Sequence, residues 1–215
     1  MANLIAVMGE SGSGKTTSMR NLDPSTTFYI DCDKKGLSWR GWKSQYNKEK
    51  KNYHKTNDPE TVEKLLDKID KEQLQIRTIV IDTGNGIMVG DEMRRSKEKG
   101  YDKWMDLAAA IWNLIDKCLE ARDDLTVIWC FHAQVEKDDN GNSWARIQTN
   151  GKKLNKIVLE SKFPLVLYAK CIDGKYIFET QAKNSTAKSP MGLLEETIDN
   201  DLATVIAKID EYEKG

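Results

Sequence analysis

Near the amino terminus, Gly9-Glu10-Ser11-Gly12-Ser13-Gly14-Lys15-Thr16-Thr17 brings three glycines, a lysine and a run of hydroxyls into nine residues. Gly9 to Thr16 has the spacing Gly, four residues, Gly-Lys-Thr, and each part has a chemical use. Glycines let the backbone wrap around an anion so that successive N–H groups point inward as donors. Lys15 sets a cation beside the outer phosphates of a nucleotide, and the Thr16 hydroxyl suits Mg²⁺. Residues Gly9, Glu10, Ser11, Gly12, Ser13, Gly14, Lys15, Thr16 and Thr17 therefore form a candidate phosphate-binding loop. A carboxylate in the right place would complete it. Asp82 ends the apolar run Thr78-Ile79-Val80-Ile81, where a buried strand would hold it rigidly enough to bind Mg²⁺ with Thr16.

The flanking elements support that reading. Leu4 to Met8 predicts a buried strand, and a helix is expected from near Lys15 to before Pro24, its positive dipole end facing the phosphates. Phe28 to Asp31 predicts a second strand. Asp58-Pro59 offers an N-cap with proline in the first turn of a helix carrying Val62, Leu65, Leu66 and Ile69. A third strand ends at Asp82. Helical material follows over residues 86–122, with Trp104, Leu107, Ala108, Ile111, Ile115 and Leu119 on one face. Leu125 to Phe131 predicts a fourth strand ending at His132. Asp138 to Asn142 has hairpin chemistry, a short helix is expected around Lys152 to Ser161, and Leu165 to Cys171 with Lys175 to Thr180 predicts a second hairpin. A polar loop over residues 181–190 leads to a final acidic helix. Strands alternating with helices predict an α/β fold, a mostly parallel sheet flanked by helices, with antiparallel hairpins toward the C-terminal edge. The length suits a single domain over 1–215, residues 191–215 forming the acidic helix.

Composition narrows the function classes. The 33 basic and 34 acidic residues give a net charge of -1, so no global basic excess attracts nucleic acid. No window approaches the ~18 apolar residues of a membrane span, and Met1 leads into the first strand without the basic region of a secretory signal. Cys32, Cys118, Cys130 and Cys171 are widely spaced and have only His54 and His132 to join them, which argues against zinc and for a reduced, cytoplasmic protein.

Several branches of nucleotide-binding protein share such a loop. The guanine-reading Asn-Lys-x-Asp is absent; the nearest string, Ala207-Lys208-Ile209-Asp210, lacks the asparagine and falls in the last helix. A small-molecule or nucleotide kinase is an alternative, but Asp82 is followed by Thr83-Gly84 instead of arginine, and no arginine-rich lid is evident.

The chain resembles the RecA-like branch of P-loop proteins, and more narrowly the phage AAA-family ATPases that include single-strand annealing proteins of recombination. The resemblance is carried by Met8 to Thr17, Tyr29-Ile30-Asp31-Cys32-Asp33, Val80-Ile81-Asp82-Thr83 and Cys130-Phe131-His132. Gly151-Lys152, Phe163 to Tyr168 and Phe178 to Pro190 add to it, so that it covers about residues 3–192. It implies a Mg²⁺-dependent ATPase that assembles as a homo-oligomer on DNA during phage recombination or replication, in the cytoplasm of a bacterial host. A third possibility is an annealing module in which ATP only gates assembly. By the same resemblance Asp33 stands where a water-activating carboxylate belongs, usually a glutamate, with Asp31 as the fallback. His132, at the end of the fourth strand, would sense the terminal phosphate, and Lys183 and Lys188 would reach a neighbouring subunit's ATP.

Two segments are candidates for single-stranded DNA. Residues 43–55 hold five lysines against one glutamate, Lys48, Lys50 and Lys51 among them, with Trp39, Trp42, Tyr46 and Tyr53 interleaved for base stacking. The second is the hairpin and loop from Gln134 to Lys153, with Lys137, Trp144, Arg146, Lys152 and Lys153; the resemblance favours this one. Opposite charge gathers at the end, with seven acidic and two basic residues from Met191 onward.

Overall fold

The computed structural model describes residues 2–137, 140–150 and 158–214. Among these, the chain builds a nine-stranded sheet from β1 (Asn3–Gly9), β2 (Thr27–Asp31), β3 (Tyr53–Lys55), β4 (Thr78–Asp82), β5 (Thr126–Lys137), β6 (Ser143–Ile147), β7 (Leu165–Ile172), β8 (Lys175–Glu179) and β9 (Thr197–Asp199). The order across it is β3-β2-β4-β5-β1-β7-β8-β9, with β6 paired to β5 off this path. From β3 to β7 every pairing is parallel; β8, β9 and β6 join antiparallel.

Continuous apolar runs make the central strands because both faces of the sheet are covered. In β1, Leu4, Ala6 and Met8 face one core with α2 (Pro59–Glu72), α3 (Gly84–Arg94) and α4 (Tyr101–Glu120). Ile5 and Val7 face the other, with Met19, Leu22 and the Leu202, Val205 and Ile209 stripe of α5 (Leu202–Tyr212). α2 begins as its sequence requires: the Asp58 carboxylate accepts from Thr61 N at 2.9 Å, with Pro59 in the first turn. Parallel strands finish at one edge, and the register sets Gly9 beside both His132 and Ala169, and Asp82 beside Asp31. Gly9, Asp31, Asp82 and His132 thus reach the same edge, but the fourth strand does not end at His132 as expected: β5 runs on to Lys137, leaving β1 after His132 and pairing with β6.

The structure departs from expectation in several elements. After the phosphate loop there is one 3₁₀ turn, Thr17–Met19, instead of a helix running to Pro24. Met19 N and Arg20 N donate to the carbonyls three residues back, at 3.3 and 3.1 Å. Thr16, Thr17 and Ser18 are weak helix formers, and Asp23-Pro24 follows too soon for further turns. Most of the helix expected at 152–161 lies outside the described residues; Leu159–Lys162 is a 3₁₀ turn. The short α1 (Trp42–Gln45), β3 and β9 were not foreseen, and the acidic terminus turns helical only at Leu202. Among the described residues, no helix is long and apolar enough to cross a membrane.

Candidate active site

The loop from Gly9 to Thr16 closes over the carboxyl end of β1. Gly9 has no room for a side chain, since a Cβ would stand 2.4 Å from Ser13 Oγ and 2.7 Å from the Ala169 carbonyl. Gly14 adopts φ +94°, the left-handed region that glycine enters freely. Lys15 is 7% exposed and turns back into the loop, donating to the carbonyls of Gly9 at 2.8 Å and Glu10 at 2.7 Å. Two of its three protons are so engaged, which leaves one for a ligand oxygen. Burial pulls the Lys15 ammonium below the lysine range, while the Cys130 and Asp82 side chains oppose the shift. An incoming phosphate would oppose that shift, since a nearby negative charge favours the ammonium form.

Thr16 and Asp82 meet across the loop. Thr16 Oγ1 donates to Asp82 Oδ2 at 2.8 Å, and Tyr29 OH donates to the same oxygen at 2.6 Å. Asp82 is 3% exposed, and its Oδ1 has no hydrogen-bond partner. Burial pushes the Asp82 carboxyl up, against the opposing effect of the Tyr29 and Thr16 hydroxyls. A threonine hydroxyl beside a buried carboxylate with one unsatisfied oxygen is an oxygen donor set that suits Mg²⁺. The residues fit the ion.

Asp33 lies beside this pair. Its Oδ1 accepts from Thr83 Oγ1 at 3.0 Å and its Oδ2 from Lys35 Nζ at 2.6 Å. Asp31 is turned elsewhere: its Oδ2 accepts from Gly36 N at 2.8 Å and Tyr53 OH at 2.6 Å, so it shapes the turn after β2. Tyr53 and Tyr29 repeat one device, each donating its hydroxyl to the carboxylate that ends the neighbouring strand. His132 is half-buried. Burial, and then the Lys15 charge, lowers its pKa from the ordinary 6.5, so the ring is neutral at pH 7. Its backbone N–H donates to Asn85 Oδ1 at 2.7 Å, and Asn85 Nδ2 donates to the Gln148 carbonyl at 2.8 Å. Asn85 thereby holds β5 at the point where its pairing passes from β1 to β6.

Gly12, Lys15, Thr16, Asp82 and His132 border a cleft of about 240 Å³ that extends to Tyr176; Asp33 and Asn85 line a second depression, which shares His132 with it. Lys35 also lines the cleft, and sequence reasoning missed this residue. Burial pulls the Lys35 ammonium down, but the Asp33 carboxylate outweighs it, so Lys35 stays charged and adds a second cation. The signal available was Asp33-Lys34-Lys35 directly after a strand ending at the nucleotide edge. Tyr29 entered the sequence reading only through its strand and the family resemblance, and Asn85 had no part in it.

Other candidates are scattered. Lys183 pairs with Glu196 of its own chain. Lys188 bridges the backbone of Val166, low on β7 and away from the cleft. Lys48, Lys50 and Lys51 are exposed, but Lys50 and Lys51 line a depression with Asp23 and Pro24, at the amino edge of the sheet. Their aromatic neighbours are not free for stacking: Tyr29 packs on Tyr46 and Trp39 with ring centres 5.6 and 6.5 Å apart, and Trp42 on Tyr53 at 5.4 Å. Lys137 is exposed and Trp144 half-buried on the β5–β6 hairpin, which continues directly from His132. Arg146 does not face outward: it is 8% exposed, with its guanidinium on Glu136 at 3.3 Å and Glu160 at 3.8 Å. Lys152 and Lys153 lie outside the described residues.

A family model described as an AAA domain matches residues 1–191. The chain belongs to that family. As an AAA domain it is a P-loop NTPase, a class of nucleotide-binding ATPases that use Mg²⁺, and the match ends short of α5. No curated protein matches the chain.

Proposed function

We propose that this AAA domain is a Mg²⁺-dependent ATPase that acts on DNA, as a homo-oligomer, in phage recombination or replication, the chain folding as one domain around its single sheet. The observation that carries the nucleotide part is the Thr16–Asp82 contact of 2.8 Å beside an unsatisfied Asp82 Oδ1, facing the phosphate loop.

Each residue has a definable task. Loop N–H groups and Lys15 hold the phosphates, and Thr16 with Asp82 holds Mg²⁺, which when bound neutralises charge on the transferred phosphoryl group. Asp33 orients the attacking water and accepts its proton, once Lys35 exchanges the carboxylate for a phosphate oxygen. The neutral His132 ring donates a hydrogen bond to the terminal phosphate. Lys183 reaches a neighbouring subunit's ATP after breaking its exposed pair with Glu196, a pair of small energetic worth.

Two features support the DNA role: the resemblance to phage recombination ATPases, and the β5–β6 hairpin, whose first strand carries both His132 and Lys137. Contact of DNA with the hairpin would therefore bear on the strand that carries His132 past the terminal phosphate. Measurement of phosphate release with and without single-stranded DNA, over a range of salt, tests this. DNA stimulation that fades as salt rises supports it; a rate indifferent to DNA at every salt concentration refutes it.

A further inference from the structure

Tyr176 borders the same cleft as Asp82, and the strand order β4-β5-β1-β7-β8 puts the two on opposite sides of the strand that leads into the phosphate loop. Tyr176, near the start of β8, is 47% exposed, yet its ring lies against Gly14: a Cβ there would meet Tyr176 Cδ1 at 2.7 Å and Asn200 Oδ1 at 3.1 Å. Asn200 occupies the turn between β9 and α5. It is 5% exposed, and neither its Oδ1 nor its Nδ2 has a hydrogen-bond partner. Buried amides are almost always satisfied, so an asparagine with both ends open behind a ligand loop is a recognition group awaiting a partner. Its backbone is well anchored. Arg20 Nη1 bridges the Asn200 carbonyl at 2.9 Å and the Thr17 carbonyl at 3.1 Å, which ties this turn to the end of the phosphate loop.

We propose that Tyr176 and Asn200 form the nucleobase end of the cleft, Tyr176 stacking on the base and Asn200 reading its edge. The proposal rests on the nucleotide reading above. With the terminal phosphate at Asp82 and His132, the nucleoside leaves the loop at the opposite end, which is Tyr176. Both amide atoms are out of solvent contact, so the exposed ring must move off Gly14 and onto the base before Asn200 is reached. An asparagine amide sets an acceptor beside a donor, the complement of N6 and N7 of adenine. This assigns adenine selectivity to a residue that no nucleotide motif contains.

The test is binding of Mg-ATP, Mg-GTP and Mg-tripolyphosphate, the last having phosphates but no base, to the full chain and its variants. Tyr176→Ala should weaken ATP about tenfold, the loss of one stacking contact, and leave tripolyphosphate unchanged, while Tyr176→Phe retains wild-type affinity. Asn200→Ala should keep the wild-type melting temperature without ligand, since it removes an unsatisfied group, but lose the preference for ATP over GTP. Parallel loss of ATP and tripolyphosphate, or unchanged ATP binding in both alanine variants, overturns the proposal while the nucleotide site stands. Wild-type protein that binds neither ATP nor tripolyphosphate overturns both.

Discussion

Tyr29 donates its hydroxyl to Asp82 Oδ2 at 2.6 Å from the adjacent strand, and Thr16 donates to the same oxygen. Both donors are spent on one oxygen while Oδ1 stays open. Burial holds the Tyr29 phenol well above its ordinary pKa of 10.0, so it remains a donor throughout the physiological range. A carboxylate so aimed would need little reorganisation to take the Mg²⁺ proposed for it.

Tyr29→Phe removes one charge-assisted hydrogen bond in the core. It should destabilise the fold by about 1.5–3 kcal/mol and raise the Mg²⁺ concentration needed for half-maximal activity. Thermal unfolding and a Mg²⁺ titration of phosphate release check the two effects.

Asp33 and Lys35 should separate chemistry from binding. Asp33→Asn should lower kcat by about a hundredfold or more, as loss of a proton acceptor does, with little change in ATP affinity. Lys35→Ala should weaken ATP binding about tenfold, the loss of one charged contact. Steady-state kinetics beside direct binding would distinguish them, and an interchange of the two patterns would reverse the assigned roles.

His132 gives a pH signature. Its folded pKa lies below the ordinary 6.5, so the unfolded chain takes up the proton first as pH falls. Stability from this group is fully present above about 6.5 and is lost as pH drops toward the folded pKa. Lys15 and Lys35 face the ring as cations, against Asp33 and Asp82. Denaturant unfolding between pH 7 and 5 should show the loss, and His132→Gln should flatten that part of the slope.

Much of the candidate site's placement was legible because a residue on a parallel strand is positioned by that strand's register. Apolar runs announced β1, β4 and β5, and the parallel register then brought Gly9, Asp82 and His132 to one edge. Asp33 and Asp31 are two residues apart in sequence and could not be told apart until Tyr53 and Gly36 claimed the latter. Tyr29, Asn85 and Asn200 were hidden for a common reason: their partners are 47 to 63 residues away or absent, and none belongs to a motif, whereas Lys35 lies two residues from Asp33 and had a signal that was missed. The aromatic residues among the lysines of residues 43–55 misled in the opposite direction, since in an isolated sequence a core cluster reads like a stacking surface.

The same contrast separates the two DNA candidates. Lys137→Ala with Trp144→Ala on the β5–β6 hairpin should reduce DNA stimulation of ATPase and the steepness of its salt dependence. Substituting Lys48, Lys50 and Lys51 together should leave stimulation intact, because they stand at the other edge of the sheet. Stimulation assays on the two variants decide between the segments.

The most direct measurement is phosphate release from ATP by wild-type protein, Lys15→Ala and Asp82→Asn, each with Mg²⁺ and with a chelator. Wild type should release free phosphate only with Mg²⁺, and both variants should fall by a factor of at least about 10². Release that survives the chelator or either substitution, or transfer of the phosphate to a small molecule in place of water, would contradict a Mg²⁺-dependent ATPase in this cleft.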